Sequence, residues 1–171
     1  MDVLLVASRK GLFVVRGDGR QWTIASHHFA GDPVTQVLAD PRDHRHVTLA
    51  VSCGGVWQTS DNGGSWTLTA SGMKADYLPA ENAGDENTQD PHRLVQCAAE
   101  PEVLWVQHHC GIYRSLDGGH NWQAIAAPAP SGFGFAVVCD PHNPQRAWFV
   151  PAQADTCRIP VDGLHGGDAH R

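Results

Sequence analysis

An eight-residue pattern, [S/T]-x-D-x-G-x-x-W, occurs twice in the 171-residue chain, at 59–66 and at 115–122. Its defining residues are Thr59, Asp61, Gly63 and Trp66 in the first copy and Ser115, Asp117, Gly119 and Trp122 in the second. The aspartate can accept hydrogen bonds from N–H groups of its own turn, and glycine tolerates the positive φ that the turn needs. The tryptophan then begins a new strand and packs over the hairpin. Each copy therefore predicts a tight turn between antiparallel strands.

A second marker gives the length of the repeating unit. An acidic residue followed by proline lies between two apolar runs at Pro41, Pro101 and Pro141. Pro101 and Pro141 are 40 residues apart, and the longer interval before Pro101 contains the polar stretch 71–91. A unit of about 40 residues with four short strands is the period of a β-propeller blade.

The apolar runs between these turns are short and rich in Val, Leu, Trp, Phe and Thr, which is typical of strands. We predict an all-β chain, a partial β-propeller of about three and a half four-stranded blades. The blades are assigned to 3–29, 33–71, 92–127 and 133–163 within one incomplete propeller, 1–163, with a polar loop insert at 72–91 and an irregular tail at 164–171. The first blade lacks its inner strand and the fourth its outer strand, so open sheet edges are expected to favour self-association.

Composition excludes several classes of protein. The formal charge of −6 disfavours nonspecific binding to nucleic acid or to a membrane surface. No apolar run approaches the roughly 18 residues of a membrane helix, and no signal peptide is visible, so a cytoplasmic location is predicted. The five cysteines are odd in number and form no CxxC pair, which disfavours a disulfide framework or a structural zinc site. No cofactor motif is present.

The two turn motifs resemble the Asp-box, or BNR, repeat of sialidases and related propellers. The stretches 8–13, 89–92, 104–109 and 158–163 resemble a set of uncharacterised bacterial BNR-repeat proteins that are loosely labelled glycosyl hydrolase-like. Members of that set are about twice as long, so the resemblance implies a larger ring of which this chain is a truncated member. It also implies the sialidase-like superfold, which hosts both enzymes and binding scaffolds.

Propeller topology gathers one set of loops at one end of the axis, where ligands tend to bind. The candidate ligand-binding residues predicted at this end are Arg9, Asp90, His92, His108, His109 and Arg158. Imidazoles near a carboxylate can hold a divalent metal, and His92 with His108 is a weak candidate pair. Adjacent strand residues point to opposite sides, so at most one of His108 and His109 faces His92. The simpler interpretation is that these histidines order a loop.

The first functional hypothesis is a non-catalytic scaffold that binds a ligand, a carbohydrate or a protein, at the loop face. The alternative is a glycoside hydrolase that uses carboxylates of the segment 76–90, namely Asp85, Glu86 or Asp90. A minor alternative is a divalent-metal-binding propeller. The chain lacks a recognisable catalytic set, so the sequence favours the scaffold.

Overall fold

A computed structural model describes residues 2–126, 131–161 and 167–168. These residues contain fifteen strands: β1 Asp2–Ser8, β2 Gly11–Gly17, β3 Trp22–His28, β4 Val34–Ala39, β5 Val47–Val51, β6 Gly55–Thr59, β7 Thr67–Leu68, β8 Pro91–Gln96, β9 Leu104–His108, β10 Gly111–Ser115, β11 Gln123–Ile125, β12 Gly134–Cys139, β13 Ala147–Ala154, β14 Cys157–Pro160 and β15 Gly167–Asp168. One short 3₁₀-helix, Glu86–Thr88, lies in the insert.

The strands form four small antiparallel sheets, each built from consecutive strands. Sheet 1 contains β1–β3, sheet 2 contains β4–β7 and sheet 3 contains β8–β11. In sheet 4, β12 pairs with β13, and β14 and β15 pair with different parts of β13. The prediction of an all-β partial propeller is confirmed.

The tail 164–171 was expected to be irregular. Its residues 167–168 form the short strand β15, which continues the line of β14 along β13. The rest of the tail lies outside the described residues. Within the described part of the chain, sheet 4 has no strand beyond β14 and β15, and no strand pairs with the free edge of β1.

Three apolar cores lie between successive sheets, because strand residues alternate between the two faces of a sheet. The core between sheets 1 and 2 includes Leu12 and Leu49, and the core between sheets 2 and 3 includes Val56 and Val106. The core between sheets 3 and 4 includes Trp105 and Phe149. Each internal sheet is therefore buried on both faces, which gives the stacked order of a propeller.

The two turn motifs have the same hydrogen-bond geometry. The Thr59 hydroxyl donates to Asp61 Oδ1 at 2.7 Å and accepts from the Gly63 N–H at 2.9 Å. Asp61 Oδ1 also accepts from the Ser65 N–H at 2.9 Å, and with the hydroxyl contacts this lowers the pKa of Asp61 to about 2. Ser115, Asp117, Gly119 and Asn121 repeat these contacts in the second copy. Gly63 and Gly119 adopt φ values of 84° and 92°, where a side chain would be strained.

The motif tryptophan does more than cover its own hairpin, which is all that the sequence predicted. Trp122 is buried in the core between sheets 2 and 3. Its indole N–H donates to the Thr69 carbonyl at 2.8 Å, and its backbone N–H donates to the Ser71 carbonyl at 2.8 Å. The turn of one sheet is thereby attached to the end of the preceding sheet.

No helix among the described residues has the length and apolarity needed to cross a membrane. The five cysteines form no disulfide, and only Cys97 is fully buried.

The turn geometry predicts a stability difference between two aspartates. Asp117→Ala removes the acceptor for the Ser115 hydroxyl and the Asn121 N–H, so we expect the free energy of unfolding to fall by about 1–3 kcal/mol. Asp32→Ala changes an exposed loop aspartate and serves as the matched control. Urea denaturation of the two variants measures the difference, and equal losses would contradict a structural role for the turn.

Candidate functional site

A cavity of about 350 Å³ lies at the end of the molecule where β4, β8 and β12 begin. Its lining, called the mouth site here, consists of Thr35, Ser52, Asp90, His92, His109, Phe135 and Arg158. A larger cavity of about 500 Å³ lies between sheets 1 and 2, but core residues such as Leu5, Leu12 and Val14 line much of it. The chemistry-bearing side chains are concentrated at the mouth site.

Asp90 is fixed at the centre of the mouth site by its backbone and by its side chain. Its N–H donates to His108 Nε2 at 2.9 Å, and its carbonyl accepts from the His109 N–H at 3.0 Å. Its Oδ1 accepts from the Ser52 hydroxyl at 2.8 Å and from the Cys53 N–H at 3.2 Å. One carboxylate oxygen is therefore saturated, while the other faces the cavity.

The second oxygen of Asp90 faces two imidazoles. Oδ2 lies 3.4 Å from His92 Nε2 and 3.4 Å from His109 Nδ1. Burial by itself would raise the pKa of Asp90, but His92 and the Ser52 hydroxyl hold that pKa well below its usual range. Burial would likewise lower the pKa of His92, yet the contacts with Asp90 and with the Gly134 carbonyl raise it. The site therefore holds a carboxylate that is ionised at neutral pH.

The mouth site also contains a cation beside an aromatic ring. The Arg158 guanidinium pairs with Asp155 at 2.7 Å and lies 5.4 Å from the centroid of the Phe135 ring. Phe135 in turn stacks on His92, with centroids 4.7 Å apart and planes 18° apart. An exposed positive charge and an aromatic side chain therefore line the same cavity as the anchored carboxylate.

The structure brings four of the six predicted ligand-binding residues together: Asp90, His92, His109 and Arg158. Arg9 does not line the cavity and is exposed in the turn between β1 and β2. His108 points the other way from His109 and is buried, and that burial lowers its pKa to about 4.

His108 acts as a support beneath the site. Its Nε2 lies 2.9 Å from the Asp90 backbone nitrogen, and its Nδ1 lies 3.0 Å from the Cys110 backbone nitrogen. A neutral imidazole has one acceptor nitrogen, so the ring satisfies one of these N–H groups. Both nitrogens face protein donors, which leaves neither for the metal pairing with His92 that the sequence suggested.

Three residues of the mouth site were not among the predicted ones: Thr35, Ser52 and Phe135. Ser52 directly follows β5, and its position in the loop between β5 and β6 could have placed it at this end of the axis. Phe135 reaches the cavity because the pairing of β12 with β13 shifts between Gly134 and Ala136. That shift is a β-bulge, which redirects a side chain and leaves no local sequence signal.

The insert 72–91 contributes less chemistry than the sequence suggested. Among Asp85, Glu86 and Asp90, only Asp90 lines the mouth site. Glu86 instead accepts from the Ala70 N–H at 2.9 Å, which attaches the insert to the end of sheet 2. Met73 and Ala75 are fully buried, so the insert packs as part of the fold.

One group of side chains among the described residues has the composition of a metal centre. The ligand atoms of Asp90, His92 and His109 lie within 4.8 Å of one another. Two imidazoles and one carboxylate are a common ligand set for divalent transition metals.

Comparison with known proteins finds similarity in structure alone. No protein-family model matches the sequence, and no curated protein matches it significantly. The fold is similar to that of an ancestral GH74 enzyme, with TM-score 0.71, 15% identity, and 97% of this chain and 24% of that chain covered. It is also similar to the GH74 xyloglucanase from Xanthomonas campestris, with TM-score 0.56, 18% identity, and 97% and 26% covered.

A third structure, YCF48 bound to D1 peptide, has TM-score 0.52 and 18% identity, with 85% of this chain and 43% of that chain covered. The chain spans about a quarter of the length of the two GH74 structures. These similarities support the propeller fold and transfer no activity.

The buried position of His108 predicts an effect on stability. His108→Leu leaves a buried backbone N–H without its acceptor, so the free energy of unfolding should fall by about 1–3 kcal/mol. His142→Leu changes an exposed turn histidine and is the control. Chemical denaturation compares the two, and a loss for His108→Leu no larger than the control's would contradict the supporting role.

Proposed function

We propose that this chain is a non-catalytic propeller scaffold that binds a polyhydroxylated ligand, a carbohydrate, at the mouth site. The observation that carries the proposal is the lining of the cavity, which brings anchored Asp90 together with Arg158 and Phe135. Sugar hydroxyls both donate and accept hydrogen bonds, so a carboxylate and a guanidinium are suitable partners. The Phe135 side chain is 44% exposed and stacks on His92, so its exposed part offers apolar surface beside the polar groups of the site.

The state of the carboxylates supports a non-catalytic role. A glycoside hydrolase usually needs one carboxylic acid that remains protonated near its working pH and a second, ionised carboxylate. The pKa of Asp90 is instead lowered by His92 and Ser52, and Asp155 is paired with Arg158 at 2.7 Å. Neither carboxylate is in the environment of a general acid.

The hydrolase alternative keeps one supporting observation, the similarity of fold to GH74 enzymes. In that alternative, Asp90 and Asp155 are the carboxylates nearest the cavity, because both contact His109. The similarity to peptide-bound YCF48 supports a further occupant, an acidic peptide drawn to Arg158. Both alternatives are outcomes of the experiment below.

Binding of xyloglucan oligosaccharides, measured by isothermal titration calorimetry, tests the proposal. We expect Phe135→Ala and Arg158→Ala each to weaken binding about 10-fold, since each removes a contact worth roughly 1–1.5 kcal/mol. Arg42→Ala is the matched control, because Arg42 is an exposed arginine that pairs with Glu102 outside the mouth site.

Incubation with a panel of aryl glycosides tests catalysis in the same preparations. The scaffold predicts no product. Turnover that Asp90→Asn abolishes would establish the hydrolase alternative, and binding of an acidic peptide without binding of any sugar would overturn the carbohydrate assignment.

A further inference from the structure

Two ligand atoms of the mouth site face each other at a distance that a proton or a metal ion can bridge. The Gly134 carbonyl lies 2.7 Å from His92 Nδ1 and can only accept a hydrogen bond, so Nδ1 carries the proton. In the neutral ring, Nε2 then directs a lone pair toward Asp90 Oδ2, 3.4 Å away. Two lone pairs face each other at this distance favourably only with a proton or a metal ion between them.

The distances suit a tetrahedral metal ion. Bonds of about 2.1 Å in a zinc centre place neighbouring ligand atoms about 3.4 Å apart. Asp90 Oδ2 lies 3.4 Å from His92 Nε2 and 3.4 Å from His109 Nδ1. The open side of the cavity leaves a fourth position for water or for a ligand oxygen.

Two of the three groups also have hydrogen-bonded outer partners that fix their orientation. Asp90 Oδ1 accepts from Ser52 and from the Cys53 N–H, and His92 Nδ1 donates to the Gly134 carbonyl. His109 Nε2 lies 3.6 Å from an Asp155 carboxylate oxygen, just beyond hydrogen-bond distance. Metal-binding histidines commonly hold their second nitrogen on an oxygen acceptor, as His92 does.

We infer that Asp90 Oδ2, His92 Nε2 and His109 Nδ1 form a site for one divalent transition-metal ion of the zinc class. This inference rests on the mouth site being a binding site, and it gives that site an ion through which a ligand oxygen is held. A hard cation such as Mg²⁺ is a poor match for two imidazoles.

Titration of the metal-free chain with Zn²⁺ tests the inference without any organic ligand. We expect one ion per chain and no binding of Mg²⁺. Asp90→Asn and His109→Gln should each weaken zinc binding more than about 100-fold, and Ser52→Ala about 10-fold. His142→Ala, an exposed histidine in the turn before β13, should leave binding unchanged.

The five free cysteines need a separate readout because thiolates also bind zinc. Cobalt substitution supplies it, since the inferred site gives a spectrum without thiolate-to-cobalt charge-transfer absorption. Stoichiometric binding that survives Asp90→Asn and His109→Gln, or the absence of zinc binding, would overturn the inference. Sugar binding without zinc would leave the proposed function intact, so the two failures are distinguishable.

A second inference follows from equivalent positions in the four sheets. Three cross-strand pairs occupy equivalent positions in sheets 1, 2 and 3. They are Val6 with Phe13, Leu49 with Trp57, and Val106 with Tyr113. Leu49 and Val106 are completely buried against the preceding sheet, whereas Val6 is 43% exposed. The outer face of sheet 1 therefore has an exposed apolar residue at a position that packs against a preceding sheet elsewhere in the molecule. Leu4 and Ile24 are further exposed apolar residues of this face.

Sheet 4 has the complementary face. Val138 pairs with Trp148 as Val95 pairs with Trp105. Val95 packs on the core shared with the following sheet, whereas Val138 is 54% exposed. Val150 is 45% exposed at the position where Ala50 is completely buried in sheet 2.

We propose that the outer face of sheet 4 packs on the outer face of sheet 1 of a second copy, and reciprocally. The two faces are of the types that pack together at every internal core of the molecule. Two copies bring eight sheets around one axis, within the four to eight blades of known propellers, whereas three copies would exceed that range. Such a head-to-tail interface closes on itself as a dimer.

Light scattering over a concentration series tests this contact. We expect a wild-type dimer and monomers for Leu4→Glu and Val138→Glu, each of which places a charge on one exposed face. An equimolar mixture of the two variants should again form a dimer, because each contributes the face that the other lacks. Ile24→Lys and Val150→Lys repeat the design in case either first variant fails to fold, which circular dichroism reveals.

A wild-type chain that stays monomeric throughout the series overturns this proposal. A dimer of Leu4→Glu alone or of Val138→Glu alone would indicate contact between like faces or open edges, which also overturns it.

Discussion

The fold depends on a hydrogen-bonded corner in which a hydroxyl, an aspartate and a glycine close each motif turn. Asp117 accepts from Ser115 and from the Asn121 N–H, which fixes the direction in which the chain leaves the turn. Trp122 is thereby directed into the core shared with the preceding sheet, where its indole donates to Thr69. A local turn therefore determines a contact between sheets 2 and 3.

The common register of the sheets explains where chemistry can gather. In sheets 2, 3 and 4, the innermost strand pairs with its neighbour through a shift at its first residues. In each of these sheets the bulge lies at the end of the axis where the mouth site is. It turns toward the cavity a side chain that would otherwise point into one of the apolar cores. Polar residues can therefore face the cavity at strand beginnings while the same strands remain apolar farther along.

The repeat and the approximate position of the site were predictable because both depend on local signals. The motif turns identify the hairpins, and propeller topology places Asp90, His92 and Arg158 at one end. Two features were not predictable from the sequence, because each depends on residues distant in sequence. They are the contacts of Trp122 with sheet 2 and the position of Phe135 in the cavity. For the adjacent histidines, strand alternation predicts that His108 and His109 point to opposite sides. It does not predict which of the two is buried.

The end of β9 shows how the fold and the site are coupled. His108 supports the Asp90 backbone from beneath, and the next residue, His109, faces the Asp90 carboxylate. Because neighbouring strand residues point in opposite directions, one strand end provides both the support and a wall of the cavity. Any ligand that binds between Asp90 and His109 therefore acts on groups already positioned by the core. Little reorganisation is needed on binding, which is the condition under which a small polar site gains affinity from few contacts.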